Sequence, residues 1–311
     1  MSQESVLVVG SIAFDDLEMP QGTFESVLGG AATYSALAAS VLAPVQIVGV
    51  VGDDFPEAHI TLLKGRGVDV AGIERVKGKT FRWRGRYSKD LSSRETLDTQ
   101  LNVFADFRPK IPQSFRSAQY VLLGNIHPRL QLDVVNQIER PRLVAADTMN
   151  FWISGEPAAL AELLKKVDLL IINDEEAREL TGIQNLCKAA KDIRTRGPKQ
   201  LIVKRGEHGA LLFDAHGAFF VPAYPLEEVN DPTGAGDSFA GGLMGYLART
   251  HSERPGAHTM RRAMFYAAAM GSFCVEAIGP KRIQELTREA LAARLESFQK
   301  LVDFGGTLAL G

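Results

Sequence analysis

Asn230-Asp231-Pro232-Thr233-Gly234-Ala235-Gly236-Asp237-Ser238-Phe239-Ala240-Gly241-Gly242 sets up the reading of this chain. A turn-forming Asp-Pro step leads into three small residues, and an apolar helical run continues through Leu243, Met244, Tyr246 and Leu247. Small side chains leave backbone N–H groups uncovered at a helix N-terminus, where the partial positive charge suits an anion. Asp237 falls in the first turn of that helix. A carboxylate beside an anion-binding nest repels the anion, so its presence asks for a reason. General-base work on a hydroxyl is one, while Gly234, Ala235 and Gly236 hold a transferred phosphoryl group. An ordinary helix start carrying a stabilising acidic residue is the other.

Two further stretches have the same small-residue character. Gly10-Ser11-Ile12-Ala13-Phe14-Asp15 closes an apolar run, and Gly29-Gly30 open a second small-residue helix. Asn173-Asp174-Glu175-Glu176 follows another apolar run. With Asp231-x-x-Gly-Ala-Gly-Asp237, these three motifs in this order resemble the ribokinase-like (PfkB) carbohydrate kinase family, across residues 6 to about 280. The resemblance implies a ribokinase-like α/β fold: a three-layer α/β/α sandwich with a mainly parallel central sheet and a small β-sheet lid. Residues 1–12, 27–75 and 108–311 would form the nucleotide- and substrate-binding core. Residues 13–26 and 76–107 would form the lid.

Composition agrees with an ordinary globular protein. The chain has 311 residues, 45% of them hydrophobic and 23% charged, with a net charge of −2. That balance gives no footprint for nucleic acid or a membrane surface. The N-terminus has no basic region ahead of its apolar run, and no run is long enough to span a bilayer. A cytoplasmic protein is expected. Cys187 and Cys274 are far apart and have no metal-ligand spacing, so both are expected to be buried thiols.

Along the chain, Ser5 to Ala13 reads as a buried strand because Val6, Leu7, Val8 and Val9 are continuous rather than alternating. Asp15 and Asp16 then fall just past its C-terminal end, where open α/β sheets place their ligands. Alternating strands and helices follow, with strand ends at Asn125, Asp147, Asn173 and Lys204 lining one sheet edge. Residues 76–107 differ: Phe81, Trp83 and Tyr87 alternate with Arg82, Arg84 and Arg86, giving an aromatic and a basic face. Such half-polar strands suit a lid, with Asp98 to Phe104 a further strand of it. The arginine stripe reads as a solvated or dimer-facing surface, or as an anion site for a phosphorylated substrate. Ile283 to Val302 reads as one helix. Residues 251–258 read as a polar loop that could border an adenine pocket.

The family resemblance assigns roles. Asp237 would be the catalytic base, with Gly234, Ala235 and Gly236 as the anion hole. Asp15, Gly29, Gly30 and the position of Tyr34 would meet the substrate, Asp15 gripping its hydroxyls. Asp16 is expected to be solvated. Tyr34 stands where the family usually has Asn, which puts a free sugar in doubt. Asn173, Glu176, Lys204, Gly206 and Gly209 would flank the nucleotide, with Glu176 acting on Mg²⁺ through water. Asp231, with carbonyls near Thr233 and Gly279, would hold a monovalent cation such as K⁺, or would simply be a turn aspartate.

The implied reaction is transfer of the γ-phosphate of ATP to the primary (5′-type) hydroxyl of a nucleoside or pentose-type sugar. Phe14, Phe104, Phe107, Phe151 and Trp152 are candidates for an aromatic wall that would favour a nucleobase. ATP, Mg²⁺ and a small-molecule substrate are the expected partners, with a homodimer through the lid as a further expectation. A sugar-phosphate kinase and a non-catalytic sugar- or nucleotide-binding protein on the same fold are the alternatives. A NAD-dependent oxidoreductase would need Gly-x-Gly-x-x-Gly after the first strand, where only Gly10 stands.

Overall fold

Val6–Val9 (β1) is fully buried along its length, and its side chains alternate between two cores. Val6 and Val8 pack on one face, Leu7 and Val9 on the other. A strand covered on both faces belongs in the middle of a parallel sheet, and there the computed structural model places it. Residues 4–250, 256–303 and 305 are described.

The chain continues through Ala13–Met19 (β2), Gly22–Gly29 (β3), Ala31–Ser40 (α1), Val45–Val51 (β4), Glu57–Gly65 (α2), Val68–Arg75 (β5), Phe81–Tyr87 (β6) and Arg94–Gln100 (β7). Next come Tyr120–Leu123 (β8), Pro128–Val135 (α3), Leu143–Asp147 (β9), Asn150–Gly155 (α4), Pro157–Leu164 (α5), Leu169–Asn173 (β10), Asp174–Thr181 (α6) and Leu186–Thr195 (α7). Gln200–Lys204 (β11), Ala210–Asp214 (β12), Gly217–Val221 (β13), Ala235–Arg249 (α8), Ala257–Cys274 (α9), Lys281–Gln284 (α10) and Arg288–Val302 (α11) complete it.

Nine strands form the main sheet in the order β13-β12-β11-β10-β9-β8-β1-β4-β5. It is parallel except for the hairpin of β12 and β13 at one edge. Helices α1, α2 and α8–α11 cover one face, and α3–α7 the other. This is the α/β fold that the motifs imply. A separate four-stranded sheet has the order β3-β2-β6-β7.

Several sequence expectations need correction. Ser5 to Ala13 is not one strand: β1 ends at Val9, and Ala13 already begins β2 of the second sheet. Asp15 and Asp16 therefore lie on a strand of the small sheet rather than in a loop. That sheet also runs to Gly29, past residue 26. Of the strand expected over 98–104 only residues 98–100 are extended, as the end of β7, and a 3₁₀ turn covers Asn102–Asp106. Residues 283–302 are two helices: the chain breaks before Thr287, whose hydroxyl accepts from the Ala290 N–H and caps α11. Cys187 is exposed, whereas Cys274 is buried. Of the polar loop at 251–258, residues 251–255 lie outside the described residues, and Ala257 and His258 already belong to α9.

Candidate active site

Gly30, between the small sheet and α1, has φ +92°, a backbone conformation costly for any side chain, and a Cβ there would collide with the Ser11 carbonyl. Ser11 uses that closeness. Its hydroxyl accepts from the Ala31 N–H at 3.0 Å and its carbonyl accepts from the Ala32 N–H at 3.0 Å, satisfying the start of α1. Gly29 lies against Asp15, where a Cβ would overlap the carboxylate. Asp15 is thus buried against bare backbone. Burial, with the charges of Asp231 and Asp237, raises its pKa to about 8.

The second half of the site comes from α8. Gly234 takes φ +74° as the residue before the helix, and the ring of Tyr34 from α1 fills the space where its Cβ would stand. Tyr34 is 1% exposed, and its hydroxyl has no hydrogen-bond partner among the described residues. It backs the nest and presents no open aromatic face. Ser35 donates to the Asp237 carbonyl at 3.0 Å, so α1 also fixes the first turn of α8. Asp237 itself is half-buried; burial and the Asp147 charge raise its pKa to about 6.

Three strand ends complete the arrangement. Lys204, at the end of β11, donates to Asp147 Oδ2 at 3.1 Å, and its ammonium stands 3.0 Å from where a Cβ of Gly236 would be. Burial works against that charge, but Asp147, Glu176 and Asp237 hold the lysine pKa above its usual value. The amine is therefore a cation at the edge of the nest. Asn173 and Glu176 form a capping box at the head of α6: Asn173 Oδ1 accepts from the Glu176 N–H at 2.7 Å, and Glu176 Oε2 accepts from the Asn173 N–H at 2.8 Å. Burial, then Asp147, pushes the Glu176 pKa up to about 7.

Asp231 is fully buried and braces two loops. Its Oδ1 accepts from the Thr233 N–H and its Oδ2 from the Gly279 N–H, each at 2.8 Å. Gly206 and Gly209 sit farther along, in the turn that carries β11 into β12. Gly209 lies so close to the Val221 carbonyl that a Cβ would overlap it. That contact gives Gly209 a structural reason independent of any nucleotide.

The arginine stripe is neutralised from within. Arg82 binds both oxygens of Asp16 at 2.6 and 2.7 Å, and Asp16 also accepts from the Ser26 N–H. Asp16 is thus paired rather than solvated. Arg84 and Arg86 both bind Glu18. Phe14 is buried against Phe55, and Phe104 stacks between Phe81 and Phe107. Trp152 donates to Asn125 Oδ1 at 2.9 Å and packs against His127, while Phe151 is exposed. Phe104, His127, Leu130 and Trp152 line an apolar cleft of about 370 Å³.

Sequence reasoning gave no role to Asp147, Arg94 or Tyr87. Position at a strand end pointed toward Asp147, and alternation put Tyr87 on the aromatic face of the lid; nothing local marked Arg94. Tyr87 places its hydroxyl 2.7 Å from Thr233 Oγ1, one residue before the nest.

Carboxylates, a half-buried ammonium and a bare helix start gather at one sheet edge, groups of the kind that phosphoryl transfer uses for positioning and charge balance. The chain matches the pfkB family carbohydrate kinases over residues 3–285 and belongs to that family. It is a phosphotransferase of the sugar and nucleoside kinase type. It is 31% identical over 250 residues to a cytidine kinase of Thermococcus kodakarensis, covering 78% of this chain and 88% of that one. Its fold is similar to that of aminoimidazole riboside kinase from Salmonella enterica, complexed with aminoimidazole riboside and an ATP analogue (TM-score 0.75, 22% identity, 94% of this chain and 100% of that one). It is also similar to a fructokinase double mutant of Vibrio cholerae O395 with fructose, ADP and potassium ion bound (TM-score 0.78, 21% identity, 94% and 99%). Among the described residues, no helix is long and apolar enough to cross a membrane.

Proposed function

We propose that this protein transfers the γ-phosphate of ATP to the primary, 5′-type hydroxyl of a nucleoside, with a pentose-type sugar as the second choice. The placement of Asp237 carries the reading. Its carboxyl stands in the first turn of α8 beside Gly234, Ala235 and Gly236, with Lys204 at the edge of the nest. In this reading Asp237 takes the proton of the acceptor hydroxyl while the nest N–H groups receive the phosphoryl oxygens. A base with a pKa near 6 is ionised at neutral pH yet close enough to it to accept a proton. Asp15 grips neighbouring hydroxyls of the sugar, and Gly29 and Gly30 let that sugar lie against backbone. Lys204 balances charge on the phosphates.

The head of α6 fits a magnesium ion. Glu176 is half-buried with its pKa raised by burial and by Asp147, so a nearby cation is favourable. Mg²⁺ borrows phosphate oxygens and keeps waters, which Glu176 and Asn173 would orient; it neutralises charge on the phosphates. Asp231 has lone pairs left beyond its two N–H bonds, and with the Thr233 carbonyl it would hold K⁺.

Support for a nucleoside comes from the cytidine kinase likeness and from the apolar cleft beside Asn125, where Trp152 and His127 offer flat surfaces. The internal pairing of Arg82, Arg84 and Arg86 argues against a sugar phosphate. A cytoplasmic site is consistent with the use of ATP. The test is ADP formation with ATP and Mg²⁺ on cytidine, adenosine, inosine and guanosine against ribose and fructose. Cytidine or another nucleoside is expected to give the highest kcat/KM. Ribose or fructose ahead of every nucleoside by tenfold would overturn the choice of substrate.

A further inference from the structure

The apolar cleft at Trp152 is tied to the substrate half of the site through both of its walls. Trp152 forms one wall and is held by Asn125. The residue before Asn125 is Gly124, where a Cβ would stand 3.3 Å from that of Ala31 and 3.5 Å from the Cα of Gly10. Ala31 directly follows Gly29 and Gly30. Phe104 forms the other wall and stacks on Phe81 at 5.3 Å. Phe81 pairs with Ala13 on β2, the strand that carries Asp15. The cleft thus borders the place proposed for the sugar.

Polar side chains line the same cleft, and two of them are already engaged. His127 Nδ1 accepts from the Arg129 N–H, and His127 Nε2 stands 3.4 Å from Glu156, which Arg129 approaches to 4.0 Å. Arg108 and Asp133 differ. Arg108 donates to the Phe107 carbonyl at 2.8 Å, which steadies the guanidinium and leaves its other N–H groups to use. Asp133 lies on α3 one turn beyond Arg129 and Leu130, at the spacing that shares their face. Its carbonyl accepts from Gln137, while its carboxylate has no partner among the described residues. Neither Arg108 nor Asp133 makes an ion pair among those residues. An apolar slot therefore carries one donor fork and one acceptor, each unused. Their charges cancel, so the matching ligand is flat and neutral, with donors and acceptors along its edge.

We propose that Arg108 and Asp133 read the edge of the nucleobase and select one whose exocyclic amine stands beside a ring acceptor, cytosine first and adenine second. The inference rests on the nucleoside kinase reading above and names the base it takes. The cytosine amine donates to the Asp133 carboxylate, and its ring nitrogen and carbonyl oxygen accept from the Arg108 fork. Uracil reverses both contacts. It sets a carbonyl against the carboxylate and a ring N–H against the guanidinium. Hypoxanthine stands to adenine in the same relation. The likeness to a cytidine kinase fits cytosine as the first choice.

The test compares cytidine with uridine and adenosine with inosine, two pairs of nearly equal size, as acceptors for wild type, Asp133→Asn and Arg108→Met. Both side chains are exposed, so neither substitution opens a hole in the core. Wild type is expected to favour the amine-bearing member of each pair by at least about tenfold in kcat/KM, as a good two-point base contact supplies. An asparagine amide can turn either its oxygen or its NH₂ to the base, so Asp133→Asn should bring the cytidine-to-uridine ratio to within about threefold. Arg108→Met should raise KM for cytidine by at least about fivefold. The change in both variants should fall on KM for the nucleoside rather than on kcat, because neither side chain meets the phosphoryl group. General damage to the fold would lower kcat as well. Equal use of the two members of each pair by wild type overturns the proposal, as does an Asp133→Asn variant that keeps the full ratio. Nucleosides accepted without that preference strike this proposal alone. Turnover of ribose or fructose with no nucleoside accepted strikes the nucleoside reading, and the proposal with it.

Discussion

Tyr87 Oη lies 2.7 Å from Thr233 Oγ1, joining the small sheet to the residue that precedes the left-handed Gly234. Gln21 makes a second tie, donating to the Asn230 carbonyl. The small sheet is thus latched to the loop that shapes the nest by hydrogen bonds, with Ile278 packed against its apolar face. A net bond of this kind is worth about 0.5–1.5 kcal/mol. Tyr87→Phe is expected to speed amide exchange in β6 and β7 by about threefold to tenfold, with the main sheet unaffected. Added substrate with ATP should slow exchange there in wild type, as closure of a lid requires. Equal protection of these strands with and without ligands would identify a static clasp.

Asp237→Asn is expected to lower kcat by about 10²–10⁴ through loss of the base, while nucleotide binding persists. In wild type kcat/KM should climb as pH rises through about 6, because the base works only when ionised. The variant should lose this limb of the profile. A kcat within threefold of wild type would make Asp237 a helix-start residue and nothing more.

Asp15 links the site to stability. Its folded pKa, about 8, lies far above the ordinary carboxylate value of 3.8. Between those values the folded state binds more protons than the unfolded one, so stability falls as pH rises toward 8. Glu176 and Asp237, also raised, push the same way at lower pH. The ligand-free protein should therefore melt at a higher temperature at pH 6 than at pH 8. Asp15→Asn keeps the shape and removes the buried charge. It should stabilise the protein at pH 8 by at least about 1 kcal/mol, since each pKa unit corresponds to about 1.36 kcal/mol, while sharply raising KM for the acceptor. Melting curves of both proteins at the two pH values decide it. A variant less stable than wild type at pH 8 would contradict the assignment.

What the sequence determined on its own is local. An unbroken apolar run such as Val6–Val9 demands a strand covered on both faces, and Gln200–Lys204 likewise. Small residues before an apolar helix demand a bare helix start, and the Gly234 nest is legible for that reason. The alternation of aromatics and arginines at 81–87 showed two faces, since side chains on a strand alternate whatever lies beyond. Contacts between distant segments were not legible. The Lys204–Asp147 bond joins strands that become neighbours only through β10. Pairing of the arginine stripe with Asp16 and Glu18 depends on β2 lying parallel to β6, across more than sixty intervening residues. Arg94 shares the face of Tyr87 because the strand register, shifted between Arg84 and Gly85, sets it opposite that residue. A shift of one residue would turn it outward and bring Glu95 in, and no local pattern records which way that falls. Sequence fixes the elements through their own burial; which charges meet at the crevice is decided by strand order and register.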